Sequence, residues 1–496
     1  MVFNSYTFVV FFAVLLLLHY APLAWKVKKA NLLLASYLFY AVWNPPFVLL
    51  LWLSTVVDYL VALALGREQN RHKRLGLLAL SLAVNLGMLG YFKYGGFLLD
   101  NFVALLSLAG ISYQPPKADI ILPVGISFYT FQTLSYTLDV YRRQFAPEKS
   151  LLDFSLFVTF FPQLVAGPIV RPGELIPQLK APHQASREQL VKGLFFVTLG
   201  LFMKVGIADG LLADTADSVF GVPFPLHPLD AWTGVLAFSG QIFCDFAGYS
   251  TCAIGAALCL GFVLPDNFRY PYAAVGFSDF WRRWHITLSS WLRDYLYIPL
   301  GGNRAGNARV YLNLMLTMLL GGLWHGASWT FVLWGGLHGL FLGLERLFRG
   351  RPTPQLQPLV TPAEPALLIS QASLVPFGLR ASHTTRQLGL ALLTFVLVTL
   401  TWVFFRAPDF DTAMRLLLAM FGAIPVRIEL LTTVTILKVM LVMAVLLSLH
   451  WLMRNTSVAR VSQRLPWWAL GLLWAFMLVV LVLTQKSTGS FIYFQF

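Results

Sequence analysis

Two histidines lie within long apolar surroundings in this sequence, and each has the chemistry of a general base. His325 sits in Leu319-Leu-Gly-Gly-Leu-Trp-His-Gly-Ala-Ser-Trp329 and His285 in Trp281-Arg-Arg-Trp-His285. An imidazole with a reference pKa of about 6.5 can take and return a proton near neutral pH. Gly321, Gly322 and Gly326 let backbone and ligand approach closely beside His325, so it is the stronger catalytic candidate. The bland alternative for His325 is a hydrogen bond to a neighbouring helix. Trp281, Trp284, His285, Leu288, Trp291, Leu292 and Tyr295 recur at helical spacing, which predicts one amphipathic helix with His285 on its buried face. Arg282, Ser289, Ser290 and Arg293 take another face. A helix rich in Trp and Arg also suits an interfacial scaffold, in which His285 is a satisfied core residue. His338, thirteen positions after His325, reads as structural.

The elements that hold these residues are membrane helices. Of the 496 residues 57% are apolar and only 12% charged, and apolar runs near the roughly 20 residues needed to cross a bilayer recur throughout. The chain is therefore expected to be an all-α polytopic membrane protein with no large soluble domain. Its net charge of +14, from 36 Lys and Arg against 22 Asp and Glu, comes from short basic clusters beside apolar runs. That pattern fits positive-inside topology better than nucleic-acid binding. No Lys or Arg precedes the first apolar run while Lys26, Lys28 and Lys29 follow it, so the N-terminus is expected to face out.

Residues 1–484 read as one transmembrane domain, within which the Pro-rich segment Arg349 to Arg386 is expected to be a cytoplasmic loop. Residues 485–496 read as an extracytoplasmic tail, with both termini outside. Broken runs such as Leu151–Val165 leave some segments as re-entrant. Three cysteines, Cys244, Cys252 and Cys259, fit neither a disulfide framework nor a zinc spacing and read as small membrane-core residues. No metal site is expected.

Six blocks carry a resemblance to the membrane-bound O-acyltransferases (MBOAT), in their alginate O-acetylation and teichoic-acid D-alanylation (AlgI/DltB-type) branch. They are Gly90-Tyr-Phe-Lys-Tyr94, Leu122-Pro-Val-Gly-Ile-Ser-Phe-Tyr129, Phe161 to Arg171, Asp245-Phe-Ala-Gly-Tyr-Ser250, Trp281 to Arg304, and Trp324-His-Gly326. The resemblance implies a ring of tilted helices around a funnel, with His325 catalytic and His285 lining the same chamber. It implies an acyl thioester donor, acetyl-CoA or an acyl-carrier-protein thioester, and no tightly bound cofactor. Arg282, Arg283, Arg293 and Arg304 are then candidates for the donor's phosphates, although arginines bordering membrane helices also simply report topology.

The tail Phe491-Ile-Tyr-Phe-Gln-Phe496 resembles the C-terminal motif of the small companion peptide of D-alanylation systems, which makes Tyr493 a candidate acyl relay. An aromatic anchor at the membrane interface is the competing reading of the tail. The implied partner is a periplasmic SGNH-type or AlgX/PatB-like acetyltransferase that modifies polysaccharide, with membrane lipid around the chain and no nucleic acid. A transporter or flippase would instead predict inverted repeats and a charged midplane site, and a non-catalytic scaffold would hydrolyse no donor. The Ser250 block continues Thr251-Cys252 where alginate-type relatives carry an acidic residue, so the polysaccharide stays open.

Overall fold

The computed structural model describes residues 1–116, 120–304, 306–349, 385–425 and 428–484. The Arg349 to Arg386 loop falls almost wholly outside these residues, and the tail with Tyr493 lies entirely outside them. Among the described residues there is no strand, only an isolated bridge between Leu226 and Ile428. Eight helices among the described residues are long and apolar enough to cross a membrane: Phe47–Arg67, Arg71–Leu108, Arg187–Gly221, Pro228–Cys259, Trp329–Phe348, Thr385–Arg406, Thr433–Met453 and Trp467–Thr484. The protein is an all-α polytopic membrane protein.

Burial separates the helices into a core and a lipid-facing shell. In Pro228–Cys259, 89% of the most apolar window is inside the protein, against 6% for Trp467–Thr484. The first is an axial helix, and the second presents Leu472, Phe476, Val479 and Leu483 outward. Lipid tails are as apolar as Leu, so the hydrophobic effect gives little drive to bring helices together there, and small residues set how closely they approach. The axial helix shows this against Arg187–Leu201: a Cβ on Gly200 would stand 2.4 Å from the Gly248 carbonyl oxygen. Cys252 and Cys259 fill the same seam as buried free thiols, and Cys244 is buried further along the helix.

Two polar clusters inside the bundle are closed sets, the arrangement favoured where an unmatched polar group in hydrocarbon is costly. Asp58 of Phe47–Arg67 accepts from Ser81, from Asn85 at 2.8 Å and from Thr137 at 3.3 Å, joining three helices. Lys204, in the π-helical stretch Phe202–Ala213, pairs with Asp209 at 2.8 Å and with Asp245 of the axial helix. The expected span Leu151–Val165 is instead two short helices, Leu151–Thr159 and Phe161–Leu164, both buried in protein. Phe160, with ψ near 110°, leaves the helical region and separates them.

Candidate functional site

The predicted continuous helix from Trp281 to Tyr295 does not form. Phe277–Trp281 is a five-residue helix, Arg282 to His285 break it, and Ile286–Leu292 restarts, followed by a π-helical turn at Arg293–Tyr297. The break centres on His285, whose φ of 43° is left-handed, a conformation costing a non-glycine residue on the order of 1–3 kcal/mol. Two backbone bonds hold it: Ile286 N–H donates to the Asn267 carbonyl at 3.0 Å and Arg269 N–H to the Arg283 carbonyl at 2.9 Å. The apolar spacing nonetheless buries Trp284, His285, Leu288, Trp291 and Tyr295, since each short helix keeps its own inward face.

His325 ends the helix Asn307–His325, and Gly326 turns the chain into Trp329–Arg349. Those two helices touch through glycine. A Cβ on Gly322 would stand 2.3 Å from the Phe331 carbonyl oxygen, and one on Gly326 would strike the Phe331 ring. The helix thus runs unbroken through Gly321 and Gly322 and stops directly after the histidine.

The fold brings His285 and His325 together, with ring centroids 6.4 Å apart. Aromatic rings close around them. Trp324, Trp334 and Phe405 lie 5.0, 5.1 and 5.3 Å from the His325 ring, and Phe246 lies 4.7 Å from the His285 ring. Both imidazoles are buried. His285 Nδ1 meets Asn267 Oδ1 at 3.1 Å, while its Nε2 has no hydrogen-bond partner among the described residues. His338 bonds Thr401 Oγ1 at 3.0 Å through Nε2 and packs against Trp334 and Phe280, a tie between helices rather than part of the pair.

Two residues to which the sequence reading gave no role complete the site. The Lys93 ammonium donates to the Trp324 carbonyl at 2.7 Å and the His325 carbonyl at 3.0 Å. It thereby caps the free carbonyls of the helix end that carries His325. An intramembrane lysine is itself a functional signal, so Lys93 was within reach of sequence reasoning. Asn267, after Pro265-Asp266, looks like a turn residue and offered no such signal.

The four candidate phosphate-binding arginines divide. Arg283 is bound to Asp279 at 2.9 Å and to the Arg454 carbonyl at 3.0 Å, and Arg293 to Asp294 at 2.6 Å. Arg282 and Arg304 are exposed, as is Arg309. Burial would raise the Asp279 carboxyl. The Val275 N–H with Arg283 and Arg454 outweighs it and holds the group below its ordinary value. Arg171 pairs with Asp294 at 2.6 Å and lies over the Tyr295 ring, extending the ionic shell. A recess of about 430 Å³ opens at Ser328, Trp329, Asn101, Asp100 and Asp409. Among the described residues no three His, Cys, Asp or Glu side chains converge as a metal site.

Comparison with known proteins shows the family. Residues 126–357 match the model of the MBOAT, membrane-bound O-acyltransferase family. The chain is 41% identical over 429 residues to the "Probable alginate O-acetylase AlgI" of Azotobacter vinelandii, covering 85% of this chain and 78% of that protein. It is 40% identical over 422 residues to the "Peptidoglycan O-acetyltransferase" of Helicobacter pylori, covering 79% and 74%. A more distant relative is the "Teichoic acid D-alanyltransferase" of Lacticaseibacillus rhamnosus, 27% identical over 289 residues, covering 51% and 69%.

Proposed function

The chain belongs to the membrane-bound O-acyltransferase family, and from the premise that it is an acyltransferase we propose the route its acyl group takes. It moves an acetyl group from a cytoplasmic thioester, acetyl-CoA or an acyl-carrier-protein thioester, across the bacterial inner membrane. The acetyl group is destined for O-acetylation of an extracellular or cell-wall polysaccharide, in keeping with the names of its relatives. The observation that carries this reading is the meeting of His285 and His325 in one aromatic enclosure.

In this scheme the donor reaches the arginine-bearing side, where the exposed Arg282 and Arg304 meet its phosphates. The central helices form a funnel, and both termini face out, so the tail enters from the opposite side. The tail's stem, at Thr484, is the end of Trp467–Thr484 and packs beside Gly210. The Tyr493 oxygen attacks the thioester carbonyl carbon. A C–O bond forms, the C–S bond breaks, the phenolic proton passes to His325, and His325 returns it to the departing thiolate, which leaves as free thiol. A phenol with a reference pKa near 10 needs such a base. The aryl ester then passes its acetyl to a hydroxyl of a periplasmic SGNH-type or AlgX/PatB-like partner, phenolate being a better leaving group than an alkoxide.

Tyr493→Phe tests the relay, since it keeps the ring and removes only the hydroxyl. Polysaccharide acetylation in cells is expected to be abolished at unchanged protein level. Full acetylation in Tyr493→Phe would send the acetyl group directly from donor to partner and leave the tail an anchor.

A further inference from the structure

We infer that Asn267 is a positioning residue that locks His285 as its Nδ1–H tautomer, leaving Nε2 as a proton or hydrogen-bond acceptor and unable to donate to a thioester carbonyl oxygen. At first sight a contact between an imidazole nitrogen and an amide oxygen leaves the proton's place open, because amide oxygen and nitrogen are interchangeable by a flip. Here the surrounding donors remove the choice.

The Thr287 backbone N–H points at Asn267 Oδ1 at 3.3 Å. A backbone N–H can only donate, so the atom it meets must be the amide oxygen. Thr287 Oγ1 contacts the same oxygen at 2.9 Å. That hydroxyl already accepts from the Ile169 N–H at 3.0 Å, so its own proton is available for Asn267. On the far side of the amide, Nδ2 donates to Ser250 Oγ at 3.1 Å, a hydroxyl that tolerates either orientation, so the Thr287 N–H decides. Flipping Asn267 would therefore set an NH₂ against the Thr287 N–H.

With Oδ1 fixed toward His285, the nitrogen 3.1 Å away must carry hydrogen. In a neutral imidazole one nitrogen donates and the other accepts, so Nε2 keeps its lone pair. That atom is buried without a partner among the described residues. The ring around it is bounded by Phe246, Phe128 and Trp324, with His325 also in contact. The left-handed backbone at His285 serves the same end: it turns Ile286 and Thr287 so that both N–H groups meet Asn267.

For acyl transfer the consequence is a division of labour. His285 Nε2 accepts a hydrogen bond that orients the attacking hydroxyl, whose proton passes to His325, and the developing negative charge on the carbonyl oxygen is met by other donors. This consequence rests on the acyl-transfer reading. The tautomer does not, and its test is independent of activity.

The test is nitrogen-15 spectroscopy of the full chain in proteoliposomes, labelled on histidine, with the His285 signals identified by their loss in His285→Gln. The wild type is expected to show a protonated, pyrrole-like Nδ1 and an unprotonated, pyridine-like Nε2 in that ring. Asn267→Ala is expected to lose this preference and to lower kcat about 10- to 100-fold, as removal of a partner that fixes an imidazole's tautomer does. Its KM for the donor should stay within about twofold of the wild type, since binding is untouched. Asn267→Asp keeps an acceptor facing Nδ1 and should retain the Nδ1–H signature and recover activity relative to Asn267→Ala. A protonated Nε2 in the wild type overturns the inference even if no Asn267 variant folds. An unchanged tautomer with full activity in Asn267→Ala overturns it as well.

Discussion

The imidazole enclosure and the ionic shell beside it are adjacent in sequence and opposite in construction. Around His285 and His325 the walls are aromatic, and polar contacts are few. A few residues away Asp279, Arg283 and Arg454 form a closed set, as do Arg171, Asp294 and Arg293. In the shell every carboxylate is offset by a guanidinium, so charge is spent on holding segments together. In the enclosure the two imidazoles face aromatic rings and each other. The short stretch Asp279 to Asp294 supplies the shell's two carboxylates and His285 of the enclosure, with the left-handed turn at His285 lying between the carboxylates.

Removing His325 strikes the enclosure most directly. His325→Ala is expected to lower acyl transfer on the order of 100- to 10,000-fold, the usual cost of a lost general base, at unchanged thermal stability. Near wild-type acetylation at matched protein level would sink the catalytic assignment. Lys93→Met should fall between the two regions, because it leaves the imidazole but removes the cap on its helix end. A charge at a helix C-terminus contributes up to about 2 kcal/mol. Transfer should therefore fall roughly tenfold, and Lys93→Arg should restore part of it; a Lys93→Met protein as active as the wild type would show that the cap does not set the histidine's place.

Asp279→Asn tests the shell alone. It leaves Arg283 and Arg454 without their shared carboxylate and should destabilise the protein by about 1.5–3 kcal/mol, as for hydrogen bonds to charged groups. Activity per folded molecule should be nearly unchanged. The sign with pH follows from the depressed Asp279 carboxyl: its contribution is present above the ordinary carboxylate range and is lost as pH falls through the lowered value. A large loss of specific activity in Asp279→Asn, measured on protein that remains folded, would erase the contrast between shell and enclosure.

Much of this was legible in the residues themselves. Apolar runs and their basic borders determined the membrane helices, because a bilayer demands length, apolarity and internally satisfied backbone. The Trp-His-Gly and Arg-Arg-Trp-His stretches, short in themselves, pointed to His325 and His285 and to the acyltransferase family. Periodicity misled at Trp281 to Tyr295: burial follows a helical spacing even where the helix is broken, and a left-handed residue leaves no mark on an apolar pattern.

Only the tertiary structure brought His285 within 6.4 Å of His325 across forty positions of chain, set Lys93 under the His325 helix end, and aimed the Asn267 oxygen at an imidazole. It also separated the arginines held by carboxylates from those left exposed. Composition and spacing act along the chain and so determine which segments enter the membrane. Which polar atoms meet depends on how those segments pack, where glycine seams let backbones approach and buried hydrogen bonds must close.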